Sequence, residues 1–230
     1  MRKRNIILTT VAILVIAGVA ALLWRFDPGP PQPIFEGKPL TVWLVGLYRM
    51  TGPRSYDSSM AGPGAKAVRA LGTNAVPYLV HMLTANRRRL MDKPALWAKN
   101  KAALPLSYTT ARERVMRAAF ACELLGRKAG AAIHALIPLL KDQDADIRAQ
   151  VVVALCFIQQ DPDIVVPLLA QRLADTDVHV QEMAIRGLPM FGAKARVALP
   201  ALRKLAQSQY RDLRAQASDS MQRIESAQEQ

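Results

Sequence analysis

Asp142, Asp144, Asp146, Asp161, Asp163, Asp175 and Asp177 crowd into one stretch of the chain, and carboxylates at that density could ligate calcium. An EF-hand sets its ligands at fixed loop positions, with a glycine at the sixth and a glutamate at the twelfth, and no loop here has that pattern. Each aspartate stands instead in a turn or at the start of an apolar stretch. A carboxylate there accepts from the free N–H groups of a helix start and complements its dipole. Asp144 and Asp177 are the expected caps. His81, His134 and His179 are scattered, and none forms a metal-ligand spacing with cysteine or carboxylate. His179, two residues after Asp177, reads as a helix-start residue. Phosphate-cradling glycine loops and nucleophile motifs are absent. The expectation is no catalytic residue, no metal and no cofactor.

The elements that position these residues follow from a 33-residue register that runs without gaps from about residue 109. Lys141-Asp142-Gln143-Asp144-Ala145-Asp146-Ile147-Arg148 falls on Ala174-Asp175-Thr176-Asp177-Val178-His179-Val180-Gln181, each opening an apolar helical stretch. Gly126, Gln159 and Gly192 coincide, as do His134, Pro167 and Pro200. Ala118, Val151, Ala184 and Ala217 share a column; so do Cys122, Leu155, Leu188 and Met221, and Leu125, Ile158, Phe191 and Ile224. Spaced three or four apart within a repeat, these form one stripe of a first helix. Val76, Ile133, Val166 and Leu199, with Leu79, Leu136, Leu169 and Leu202 three residues on, form the stripe of a second helix. A single helix pair cannot bury both stripes, so pairs must stack. Pro138 lies inside a second helix and should weaken or kink it.

The expected fold class is therefore all-α: a solenoid of stacked antiparallel helix pairs with end-capping helices and an N-terminal transmembrane helix. The pairs span about 64–84, 109–141, 144–174 and 177–207, with a C-terminal cap at 210–226 and an N-terminal capping helix over Thr41–Tyr48. Residues 51–63 read as a loop. Cys122, in a core column, is expected to be buried, and Cys156 to lie nearer the surface. They sit one repeat apart, where helix axes are about 8–10 Å from each other, and a disulfide needs Cα atoms within about 7 Å. Two free thiols follow.

Residues 1–5 are basic, through Arg2, Lys3 and Arg4, and Ile6 to Trp24 is an uncharged run. At about 1.5 Å per residue such a helix spans roughly 28 Å, close to the hydrocarbon thickness. The positive-inside rule places the N-terminus in the cytoplasm and the C-terminal domain outside it, in the periplasm if the source is bacterial. The expectation is a single-pass signal anchor at 6–24; a cleaved signal peptide is the alternative and leaves the same compartment. A proline-rich linker is expected at 25–36 and the repeat domain at 37–230. The formal charge of +13 suggests an anionic partner or surface. Much of it lies in an insertion at 85–108, where Arg87, Arg88, Arg89, Lys93, Lys99 and Lys101 face Asp92 alone. That patch suits anionic lipid or polymer. A basic patch by itself is a weak signal for nucleic acid, and an extracytoplasmic location weakens it further.

The run Asp142-x-Asp144-x-Asp146-Ile147-Arg148, with Gly126, Gly192 and the Val/Leu-Pro openings of the second helices, resembles the HEAT-repeat family over roughly 64–226. Gly37-Lys38-Pro39-Leu40-x-x-Trp43-Leu44, followed by Ala70-Leu71-Gly72-Thr73-Asn74-Ala75-Val76-Pro77, is similar to bacterial membrane-anchored HEAT-repeat proteins. Gln181 departs from the motif's arginine and His134 from its proline. The resemblance implies protein binding along the second helices. The expected contact face is His81, Lys141, Gln171, Arg203 and Lys204, held by a membrane-tethered, non-enzymatic scaffold with an unidentified protein partner. A structural, envelope-organising protein without a discrete ligand is the alternative. An enzyme of bilin-lyase type is a third reading by fold analogy alone.

Overall fold

The computed structural model describes residues 13, 18, 29–49, 62–84 and 109–227. The chain divides into two units, Met1–Pro31 and Gln32–Gln230, and the second holds the helix pairs. The expected span at 6–24 lies outside the described residues except for Ile13 and Gly18. Among the described residues no helix is long and apolar enough to cross a membrane. The basic insertion at 85–108 also lies outside them.

The second unit opens on a hairpin, β1 (Ile34–Phe35) against β2 (Lys38–Pro39), a small departure from an all-α expectation. Glu36 and Gly37 both take positive φ, as a two-residue hairpin turn of this hand requires. The hairpin runs directly into helix α1 (Leu40–Arg49), which buries Leu40, Leu44 and Leu47. Trp43 donates its indole N–H to Phe35 O at 3.1 Å, meets the Phe35 ring edge-on, and lies under the Lys38 ammonium. Gln32 donates to Thr41 Oγ1 at 2.6 Å and to Tyr78 Oη at 3.1 Å. The expected end of the linker, residues 32–36, is thus folded onto the repeat unit. Across residues 34–44 a turn, a ring stack and a helix start depend on one another.

First helices are α2 (Pro63–Leu71), α4 (Ala111–Leu125), α6 (Ala145–Ile158), α8 (Val178–Gly187) and α10 (Arg211–Ser226). Pro63, expected in the loop, is instead in the first turn of α2, where its missing N–H costs nothing. Second helices are α3 (Val76–Thr84), α5 (Ile133–Leu136), α7 (Pro162–Arg172) and α9 (Leu199–Leu205). Pro138 has its expected effect: α5 ends after one turn and continues as a 3-10 helix, Ile137–Lys141. Successive first helices pack on one another, α4 on α6, α6 on α8 and α8 on α10. One continuous core runs through the stack.

The columns Ala118–Val151–Ala184–Ala217 and Leu79–Leu136–Leu169–Leu202 are wholly buried. Phe191 and Met221 leave their columns and are only half-buried. Met221 lies on α10, the last helix of the stack. Phe191 lies in the 3-10 segment Leu188–Ala198, which begins where Pro189 interrupts the helix. Pro189 has no N–H for the carbonyl four residues back, that of Ile185, and the buried Ser220 hydroxyl of α10 donates to it at 2.9 Å.

A further column, Ala121, Ala154, Gly187 and Ser220, consists of small buried residues along the first-helix crossings. At Gly187 the approach leaves no room for a side chain: a Cβ there would lie 2.1 Å from Cys156 Sγ. Cys156, expected nearer the surface, is 2% exposed for that reason. α8 comes close enough to cover it. The outer side of α10 carries charge. Only Leu213, Ala217, Ser220 and Ile224 of that helix are buried, and its outward side is polar.

Candidate binding surface

Three surfaces of the stack present polar side chains in register. The first is the edge where each second helix hands over to the next first helix. Asp142, Asp175 and Ser208 each accept from the backbone N–H two residues on, at 2.9, 3.0 and 3.2 Å, which closes the turn. Asp144 and Asp177 then cap α6 and α8, accepting from the N–H of Asp146 and from those of His179 and Val180. Thr110 and Glu113 form a capping box on α4.

Each turn is also held from behind. Arg148 donates to Asp142 O at 2.8 Å, Gln181 to Asp175 O at 2.6 Å and Arg214 to Ser208 O at 2.9 Å. Gln181 thus keeps the carbonyl contact of the arginine it replaces. It lacks the second bond, because Arg148 also reaches into the next repeat. Its Nη2 and Nε meet Asp175 Oδ1 and Oδ2 at 2.7 and 3.1 Å, with the two side chains 10% and 3% exposed. Arg172 joins them, donating to Asp175 Oδ2 at 3.3 Å and Leu140 O at 2.9 Å. Burial alone would raise the Asp175 pKa. The Arg148 hydrogen bonds, the Asp177 N–H and the Arg172 charge outweigh it and hold the carboxyl below the usual range. Asp144 is likewise held down against its burial by Arg112, which also pairs with Asp146.

The aspartates therefore act in turn closure and in joining repeats. The caps follow from local spacing. Apart from the local Arg172–Asp175 contact, the ion pairs do not, since their partners lie 27 to 34 residues away.

The second surface is the outward side of the second helices. Lys141, Gln171, Arg203 and Lys204 are exposed on it, and His81 is half-buried. Pro77, His134, Pro167 and Pro200 line the same side as an exposed column. Arg203 reaches Glu225 of α10 at 3.6 Å, a solvated pair worth little. Across α3, residues 133–141, α7 and α9, Asp163 is the only carboxylate, whereas the first helices carry seven. Arg87, Arg88, Arg89, Lys93, Lys99 and Lys101 lie outside the described residues.

The third surface is the edge formed by the turns within each pair, which the sequence did not bring forward as a site. Gly72, Gly126 and Gly192 end their helices at φ of 54–56° and ψ between −135° and −132°, a conformation that only glycine takes without strain. Gln159, at the same register position, cannot follow and sits at φ 50°, ψ 35°, with Asp161 also at positive φ. That turn latches onto both neighbours: Gln160 donates to Arg127 O at 2.7 Å and Gln159 to Met190 O at 3.0 Å. Between the turns lies a groove of about 700 Å³ walled by Pro189, Met190 and Phe191, with Arg127 and Lys194 among its lining. The register that aligns Arg127, Gln160 and Ala193 was the signal that could have shown these side chains to share an edge.

Cys122 and Cys156 are free and buried. Burial pushes both thiols up to about 12, helped at Cys156 by the Glu123 carboxylate, so neither is a thiolate at neutral pH. Glu123 itself is buried and accepts from Gln150 at 2.9 Å. Among the described residues no group of histidine, cysteine and carboxylate is arranged to hold a metal.

Residues 133–222 match the family model for HEAT repeats. Among solved structures the chain is similar to an engineered protein, at 19% identity over 81% of this chain and 90% of that one, with a TM-score of 0.45. It is similar also to a designed armadillo repeat protein in complex with the peptide (KR)4, at 16% identity over 79% and 91%, TM-score 0.45. No curated protein gives a significant match. The family model spans two of the helix pairs and most of the cap, so HEAT repeats are matched over residues 133–222, and helix pairs of the same architecture precede them.

Proposed function

We propose that the chain is a membrane-tethered, non-enzymatic scaffold that binds a protein through the outward side of its second helices. The observation that carries this is the division of labour among polar side chains. The aspartates and arginines of the inter-repeat edge are engaged with one another and with turn carbonyls. The outward residues of α3, α5, α7 and α9 form ladders of prolines and basic or amide side chains, without a stacking partner to explain them. A stack held rigid by its own turns orders little on binding, so a broad contact is favourable there. The excess of basic over acidic groups suits a partner with an acidic surface.

The tether rests on the uncharged run at 6–24 behind Arg2, Lys3 and Arg4. The basic run from Arg87 to Lys101 fits the same reading, lying against anionic headgroups or polymer near that membrane. The test is photocrosslinking from position 171 of the full chain, in the cell, compared with the triple variant Lys141→Glu, Arg203→Glu and Lys204→Glu. A discrete partner captured by the parent and reduced at least tenfold in the variant supports the reading. Capture that is indifferent to the triple reversal refutes this face.

A further inference from the structure

We propose that the groove at the intra-pair edge receives an extended peptide that carries apolar side chains next to carboxylates. This inference goes beyond the scaffold reading, since the groove and the outward side of the second helices are separate surfaces. Its wall at Pro189, Met190 and Phe191 is apolar because Pro189 turns the chain into a 3-10 helix and draws Phe191 to the edge of the core. That leaves Phe191 and Met190 half-buried. Half-buried apolar side chains at a concave place are what a ligand's own apolar groups would finish covering.

The charges of the lining select the ligand's sign. Among the described residues that line the groove, the charged ones are Arg127 and Lys194, both cations. Arg127 is exposed and forms no ion pair among the described residues. Lys194 has only a solvated pair with Asp163 at 3.4 Å, with side chains 65% and 82% exposed. An anion arriving at either cation therefore displaces little. The two sit about two repeats apart in the register. At about 8–10 Å per repeat and roughly 3.3 Å per extended residue, carboxylates some five or six residues apart would reach both. The walls stand ready without ligand, since Gln159 and Gln160 already tie the middle turn to its neighbours.

The experiment uses the full chain in detergent micelles and fluorescence anisotropy with three labelled octapeptides, alternating Glu/Leu, Gln/Leu and Lys/Leu. Saturable binding of the Glu/Leu peptide is expected, with the Gln/Leu peptide at least tenfold weaker and the Lys/Leu peptide not bound. Arg127→Glu combined with Lys194→Glu should weaken the Glu/Leu peptide at least tenfold. Ala193→Trp, which fills the groove and leaves the charges in place, should do the same. Arg203→Glu with Lys204→Glu should leave affinity within twofold. Thermal melts check the fold, and Arg127→Gln, at an exposed position, gives a milder version with a loss of a few fold. The inference is overturned if the Glu/Leu peptide does not saturate. It is overturned equally if groove and second-helix reversals weaken binding alike, the sign of diffuse attraction to a basic chain, or if Ala193→Trp has no effect. None of these results touches partner capture through position 171, so the two readings fail separately.

Discussion

Gly187→Ala sets helix propensity against packing, and the sign of its effect reports whether α6 and α8 close as described. Alanine is better than glycine inside a helix by about 1 kcal/mol, and it also restricts the unfolded chain. On those grounds alone the substitution stabilises. Against this, the new Cβ would lie 2.1 Å from Cys156 Sγ and 3.1 Å from Cys156 Cβ, where carbon atoms ordinarily rest about 3.5–4.0 Å apart. Cys156 is 2% exposed, so its sulfur has no open side to swing into without displacing a neighbour. Overpacking a filled core costs about 1–3 kcal/mol, and an overlap this deep belongs at the upper end. The net expectation is a destabilisation of about 1–2 kcal/mol.

The same change in a Cys156→Ala background should behave differently. The sulfur is gone, the incoming methyl fills part of its space, and only the 3.1 Å contact remains to be eased. There Gly187→Ala should be neutral or stabilising by up to about 1 kcal/mol, for a coupling energy of about 2 kcal/mol. Equilibrium urea unfolding of all four chains, followed by far-ultraviolet circular dichroism, gives the cycle, with equal slopes as the condition for comparing midpoints. Stabilisation of the parent by Gly187→Ala, or the same effect in both backgrounds, would refute the close crossing and with it the account of why Cys156 is buried.

Asp175→Ala should cost about 3–5 kcal/mol by stranding the buried Arg148 guanidinium, read as a shift in urea midpoint; a loss below about 1 kcal/mol would mean the pair is solvated. The folded-state pKa of Asp175 is depressed, so its contribution is present above the unfolded value of about 3.9 and is lost as pH falls below that toward the folded value. Asp175→Asn should accordingly flatten the acid limb of stability below about pH 4 and leave its slope near neutrality unchanged. Ser220→Ala leaves the Ile185 carbonyl, already without a helical donor because of Pro189, unpaired in the core and should cost about 1–3 kcal/mol. Restoring a backbone donor with Pro189→Ala should recover part of that loss, and no recovery would sink the explanation. Leu155→Ala, at a fully buried position, should cost about 2–5 kcal/mol by thermal or urea unfolding.

The stacking columns were legible because they are local statements repeated. A leucine at 79, 136, 169 and 202 says the same thing four times, and the aspartate caps are set by residues two or three positions away. What was not legible depends on where one repeat lies over the next. Cys156 aligns with Glu123 and Pro189, a mixed column that suggests a surface, yet α8 covers it through Gly187. Arg148 is motif-like in its own repeat, but its main partner, Asp175, belongs to the following one. Phe191 shares a column with Leu125, Ile158 and Ile224, and it is only partly buried against the core because Pro189 changes the helix type just before it. The domain's first residues looked like spacer because Pro33 and Gln32 follow other prolines. Only the contacts of Gln32 with Thr41 and Tyr78 and the Glu36-Gly37 turn tie them down.

The same physics indicates where function is to be sought in such a chain. A register position that carries one kind of residue in every repeat is accounted for by stacking, since each repeat must meet the same neighbour in the same way. A position that changes its chemistry from repeat to repeat has no such requirement on it. The column Arg127, Gln160, Ala193 changes in this way, and so does the column His81, Pro138, Gln171, Lys204. The first belongs to the groove edge and the second to the outward side of the second helices, and both lie away from the turn aspartates that hold the stack together. At Gln159 the chain accepts a left-handed non-glycine residue where its sister turns use glycine, a conformation that costs about 1–2 kcal/mol. In return it gains a side chain that holds Met190 in place beside the groove. Stacking alone would have favoured glycine there, so the exception falls at the edge where a ligand's apolar and acidic groups would be read.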